Sequence, residues 1–233
     1  MNELKLRGLL ILSKISSDNN LFLKFLTEND QIITGISYGG SSKKNKNIYQ
    51  IGYFLNLIVK NKNSNFPNSI KAELSEPYYY NVLNNKYKLQ ALLVIVSLLN
   101  ISIIEGQKIN GLFDLSENIL KKIETKKNWI TDYFLYLLNL LKLIGYEIDF
   151  QLNSNQNFFN LETLQFNDFL TSNSVKFPHM LLNFKEEINK NNANNFFKIF
   201  EKILQNHHLN NMNLNIPNNY LKFKKLILNF LTK

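Results

Sequence analysis

The spacing of apolar residues changes character at Pro77, and that change constrains the fold more than any other feature of the chain. Before it, apolar residues recur in short runs with two-residue alternation, separated by Asn, Asp, Ser and Gly clusters. The runs are LKLRGLLILSKI, NNLFLKFLTEND, QIITGISYG, IYQIGYFLNLIVKN and SIKAELSE. Five β-capable runs at this spacing predict a small barrel or sandwich. Gly35 and Gly52, inside strand-like runs, are candidates for bulges or corners. After Pro77 the period becomes helical. Leu83, Tyr87, Gln90, Ala91, Val94 and Leu98 are spaced as on one helix, Asn110 is a candidate N-cap for the next, and the run from Trp129 predicts a buried helix ended by Gly145. Residues 151–175 carry few patterns. Two further amphipathic helices follow, the second opened by Pro217. The expected class is α+β: a β-domain over residues 1–76, then an all-helical domain over 77–233.

Charge narrows the function. The net charge is +9, from 26 lysines and one arginine against 18 carboxylates. Residues 1–75 hold ten of the cations and five of the carboxylates. An excess of this kind suits a polyanion, nucleic acid first. Lysines act as point charges on phosphates, and bidentate reading of guanine is left to Arg7 alone, so sequence-specific recognition is not expected. Cysteine is absent, which removes disulfides, thiol nucleophiles and cysteine-bound zinc. The longest apolar run, residues 89–104, is interrupted by Gln90, Ser97, Asn100 and Ser102 and is too short for a membrane span, so no membrane partner is expected. The amino terminus lacks a signal-peptide layout, and a cytoplasmic location is expected.

Catalytic patterns are missing. Residues 35–52, GISYGGSSKKNKNIYQIG, match neither the phosphate-loop spacing nor a dinucleotide turn, and strand-like runs flank them on both sides. The segment is either a solvated hairpin or a basic loop that touches DNA. His179, His207 and His208 form no metal-ligand spacing, and no nucleophile elbow occurs. No catalytic residue, metal or cofactor is expected. Among many aromatics, the PYYY cluster (77–80), Tyr38, Tyr49 and Tyr53 could stack on unpaired bases, Tyr38 being the best placed; core packing is the competing reading for all of them.

The segment RGLLILSKISSDNNLFLKFLTENDQIITGISYGGSSKK resembles the start of the RecO family of recombinational repair proteins. The matching features are Gly8-Leu9-Leu10-Ile11, the polar turn Ser16–Asn20, Phe25-Leu26-Thr27, and Gly39-Gly40 followed by Lys43, Lys44 and Lys46. EGQKINGLFDLSENIL, LYLLNLLKLIGYEIDF and IPNNYLKFKKLI are similar to later family helices, in order. Two departures stand out. Ser41 replaces an arginine of the usual loop, and Leu135-Tyr136-Leu137 replaces an Arg-aromatic-Glu at the head of the central helix. The four-cysteine zinc site of some members has no counterpart.

The resemblance implies an N-terminal OB-fold that binds single- and double-stranded DNA and anneals complementary strands. It also implies a helical domain that meets partners: a RecR-type protein, the acidic tail of single-strand-binding protein and, indirectly, the RecA recombinase. It implies a DNA-repair role, nucleoid association, and no covalent catalysis. Arg7, Lys14, Lys24, Tyr38, Lys43, Lys44, Lys46, Lys60 and Lys71 are then the expected DNA contacts. Lys121, Lys122, Lys126 and Lys127 are expected to receive the tail, or else form a solvated helix end. The alternative is a protein–protein adaptor whose OB-fold has lost nucleic-acid binding.

Overall fold

The computed structural model describes residues 2–17, 19–61, 66–75, 80–146, 156–179 and 188–232. Five strands close into a barrel: β1 (Asn2–Ser17), β2 (Asn20–Thr27), β3 (Ile32–Ser37), β4 (Phe54–Asn61) and β5 (Ser69–Leu74). Their order, β1-β2-β3-β5-β4 with β4 returning to β1, is that of an OB-fold. β1 reaches both neighbours because it is 16 residues long. Its first half pairs with β4 and its second with β2. Bulges at Ile11 and Ser16 interrupt the second pairing. Strand alternation sends successive residues to different cores. Leu10 enters the barrel with Leu23, Phe25 and Leu57, whereas Leu9 and Ile11 join the helical core.

The two glycines expected at bulges have other tasks. A Cβ at Gly35 would lie 2.5 Å from the Asn68 carbonyl oxygen, so only glycine lets β3 approach the strand that closes the barrel. Closure rests on one parallel pair, Ile36 opposite Ser69, with the Ile36 N–H donating to Asn68 O at 2.8 Å. Gly52 turns the chain at φ +89° beside Leu92. The fourth strand starts later than its sequence suggests. Residues 48–53 leave the sheet because Tyr49 is buried in the barrel core, its hydroxyl bonded to Ser37 Oγ at 2.8 Å.

The helices are α1 (Tyr80–Leu83), α2 (Lys86–Ser102), α3 (Leu112–Thr125), α4 (Ile130–Leu143), α5 (Lys190–Ile203) and α6 (Asn218–Phe230). A break at Asn84–Asn85 separates α1 from α2, and the Asn85 side chain caps α2 by accepting from Tyr87 and Lys88 N–H. α4 is apolar nearly all round and ends as the sequence indicates: Gly145 N–H donates to Lys142 O and Tyr146 N–H to Leu141 O. Residues 158–176, which show little pattern, form a three-stranded sheet, β6 (Phe158–Asn160), β7 (Phe166–Asn167) and β8 (Ser174–Lys176), packed through Phe159, Phe166 and Phe177. The expected boundary at 76/77 and most of the PYYY cluster lie outside the described residues. Leu9, Ile11, Leu26, Ile32 and Phe54 of the barrel share one hydrophobic cluster with the helices.

Asn110 does not cap α3. The cap position is Gly111, which has no side chain to give, and the barrel supplies the cap from the β2–β3 turn. The Asp30 carboxylate accepts from Gly111 N–H at 2.8 Å and Phe113 N–H at 2.9 Å. Asp30→Ala should lower stability by about 2 kcal/mol, read as a reduced urea midpoint with an unchanged slope.

Candidate nucleic-acid interface

The outer face of β1, β4 and β5 bears its charges in rows, because alternate residues of a strand share a face. Glu3, Lys60 and Ser69 form one row; Lys5, Ile58 and Lys71 the next; Arg7, Asn56 and Glu73 the third. A groove of about 890 Å³ lies over this face. Its floor is the Lys5 and Arg7 rows, and Tyr38, Asn45 and Ile48 stand along one wall. Lys5 and Lys71 are exposed and carry no ion pair among the described residues. Lys60 is bound to Glu3 at 2.8 Å, a contact that holds the Glu3 carboxyl below its usual value.

That wall is not a hairpin. β3 and β4 are not neighbours in the barrel, so the segment between them must cross one barrel end. It does so as a string of tight turns: Ser42 N–H to Gly39 O, Lys46 N–H to Ser42 O, and Ile48 N–H to Asn45 O. The tip of the β1–β2 hairpin holds it in place, with Asn20 Oδ1 accepting from Gly39 N–H and Asn19 O from Ser41 N–H. Lys43, Lys44 and Lys46 are exposed on this ordered loop, and Lys14 is exposed on the hairpin that anchors it. Tyr38 is 66% exposed at the loop's start. Tyr49 is in the core and Tyr53 is half-buried against both cores, so Tyr38 is the aromatic of this group left facing solvent.

Two expected contacts sit elsewhere. Lys24 leaves the barrel toward the helices, where its Nζ donates to Asn100 O at 2.8 Å and Ile103 O at 3.1 Å at the C-terminus of α2. Burial there lowers its pKa, partly opposed by Glu105. With Thr34 bonded to Glu105, the β2–β3 side of the barrel is engaged by the helical part. Arg7 reaches the groove's edge but is held there. Its guanidinium pairs with Glu117 of α3 at 2.5 Å, donates from Nε to Ser75 and lies 4.9 Å from the Phe54 ring centre.

The four helical lysines also divide. Lys121 pairs with Glu117, while Lys122 and Lys126 grip Asp132 at 2.7 and 2.8 Å. Lys127 instead lies, with Lys88, beside a second groove of about 500 Å³ whose apolar lining includes Tyr87, Trp129, Ile130 and Phe230.

Residues 85–160 match the family described as Recombination protein O C terminal, a stretch running from the start of α2 to β6. The DNA repair protein RecO of Rickettsia canadensis is 29% identical over 142 residues, covering 61% of this chain and 58% of that protein. The DNA repair protein RecO of Rickettsia bellii is 30% identical over 143 residues, with the same coverage. Over this stretch the chain is similar to proteins of the RecO family. The matched stretch spans less than two thirds of the length of these RecO relatives. Among the described residues, no helix is long and apolar enough to cross a membrane.

Lys5 is the floor cation that sequence reasoning passed over. The signal was present: Glu3, Lys5 and Arg7 alternate with Leu4, Leu6 and Gly8, so Lys5 had to share a face with Arg7. The pairing of Lys122 and Lys126 with Asp132 had none, since it depends on how α4 folds back on α3. Burial raises the Asp132 pKa, but the two lysine hydrogen bonds outweigh it and hold the carboxyl below its usual 3.8. A depressed carboxyl stabilises above its unfolded pKa and loses that contribution as pH falls through the folded value. Asp132→Asn should therefore cost about 1–3 kcal/mol at pH 7. In denaturation series the gap from wild type should close as pH drops below about 4.

Proposed function

We propose that this chain is a DNA-repair protein of the RecO type that binds single- and double-stranded DNA through its barrel and anneals complementary strands, without covalent catalysis. The observation that carries this reading is a set of exposed lysines that form no ion pair among the described residues. Lys5 and Lys71 lie on the groove floor, and Lys14, Lys43, Lys44 and Lys46 stand at the neighbouring barrel end. Lysines in such positions neutralise phosphates and release counterions, and two strands held on one basic surface repel each other less. Ser41 leaves the loop without an arginine, which point-charge contacts tolerate. Lys24 and Arg7 serve in the protein's own structure. Lys60 contributes less because Glu3 already partners it.

Labelled single-stranded oligonucleotide should bind with a steep negative salt slope in fluorescence anisotropy. Lys43/Lys44/Lys46→Ala should weaken binding roughly tenfold or more near 0.1 M salt and reduce the slope by up to about 3. Absence of binding by wild type at low salt would favour the adaptor reading.

The second groove supports a further element of the same role. Its apolar lining with Lys88 and Lys127 alongside suits an acidic, apolar tail such as that of single-strand-binding protein. A RecR-type partner, indirect service to RecA and a nucleoid location complete the proposal. Lys127→Glu should weaken tail-peptide binding about tenfold in calorimetry, whereas Lys122→Glu, whose lysine is already spent on Asp132, should disturb folding stability first.

A further inference from the structure

The turn that Asp30 caps contains a chemically reactive bond. The chain has eight glycines, and only Gly111 follows an asparagine. Asparagine before glycine is the pair most prone to deamidation, because no side chain shields the glycine nitrogen from the asparagine carboxamide. Asn110 and Gly111 are both exposed in a turn, and a Cβ at Gly111 would meet nothing within 4 Å. Yet the nitrogen that would react is occupied: Gly111 N–H donates to Asp30 Oδ2 at 2.8 Å. The same residue holds the chain on both sides of the Asn110–Gly111 bond. Ile109 N–H donates to the Asp30 carbonyl at 3.1 Å, and Phe113 N–H to Oδ1 at 2.9 Å. One residue earlier, Lys108 bridges to Gln31.

We propose that Asn110–Gly111 is a deamidation site that the Asp30 carboxylate keeps closed, and that its conversion loosens the barrel from α3. The site is independent of DNA binding. When the turn opens, Gly111 N loses its proton and attacks Asn110 Cγ. The new N–Cγ bond forms as the C–N bond of the carboxamide breaks, and ammonia departs with the proton. Water then opens the cyclic imide at one carbonyl or the other. One product is aspartate at position 110. The other is isoaspartate, whose backbone runs through the former side chain and is one carbon longer. Asp30 opposes the first step twice. Its negative charge disfavours loss of the Gly111 proton, and its hydrogen bond must break before the nitrogen can turn toward Cγ. Reaction therefore follows the small population in which the turn has opened. Both products weaken the junction. Each adds a carboxylate close to Asp30, where like charges repel. Isoaspartate also lengthens the segment between Ile109 and Gly111, so Asp30 cannot bond both N–H groups as before.

The test is ageing of the full chain in mildly alkaline buffer, with peptide mapping by mass spectrometry to follow residue 110. Wild type, Asp30→Ala, Asp30→Asn and Asp132→Asn are compared, with circular dichroism confirming that each is folded. Urea-unfolded wild type gives the unguarded rate. Folded wild type should convert at least about tenfold more slowly than the unfolded chain, and Asp30→Ala about tenfold faster than folded wild type. Asp30→Asn, which keeps an oxygen acceptor without the charge, should fall between them and carries the comparison if Asp30→Ala does not fold. Asp132→Asn lowers stability away from this turn and should stay within about twofold of wild type. Equal rates in folded and unfolded wild type, no acceleration in the Asp30 variants, or equal acceleration in Asp132→Asn overturns the guard. Aged wild type should also show a lower urea midpoint, whereas equally aged Asn110→Gln, which cyclises far less readily, should not. An unchanged midpoint in converted wild type overturns the loosened junction.

Discussion

The arrangement of this chain depends on charges that the barrel lends to helix ends. α3 begins at a glycine and has no side-chain cap of its own; Asp30 provides it from the β2–β3 turn. α2 ends with carbonyls that Lys24 of β2 satisfies. Each partner has the sign the helix dipole favours, an anion at an N-terminus and a cation at a C-terminus. Between them Arg7, the single arginine, joins β1 to Glu117 of α3 and lies against Phe54 and Phe113. A lysine there would retain charge but lose the planar fork that meets ring, hydroxyl and carboxylate together.

These links decide which barrel surface remains free. Lys24 and Thr34 turn the β2–β3 side toward the helices. The face of β1, β4 and β5 stays open, and the crossing segment between β3 and β4 rises beside it to form a groove. A basic charge on the chain as a whole would not have produced this. Several cations are consumed internally: Lys24 by backbone carbonyls, Arg7 by Glu117, Lys122 and Lys126 by Asp132. What remains outward is a smaller and more localised set.

Period and punctuation made much of the fold legible. Five alternating runs became five strands, the run ending at Gly145 became α4, and Pro217 stands before α6. Features requiring distant partners were hidden. Residues 48–53 look like the start of a strand, but Tyr49 gains more by filling the barrel end. Asn110 has the chemistry of a cap, yet Asp30, 81 residues before Gly111, takes the position. The small sheet at 158–176 has strands of only two or three residues, too short to show alternation. Of the candidate site, the loop lysines could be seen as exposed from their polar surroundings. The outward or inward sense of a strand lysine required register, and Lys24 faces the helices for that reason.

The barrel's closure has a consequence for its motions. Most seams are ladders of many residues, but β3 and β5 meet at one pair, Ile36 and Ser69, where Gly35 makes room. A cylinder with one short seam opens along it before it melts elsewhere, because local opening follows the segment held by the fewest contacts. β3 remains attached to β2 and β5 to β4 during such an opening. The barrel thus has a built-in clasp, and the Ile36 amide is among those that hydrogen exchange should reach early within the sheet.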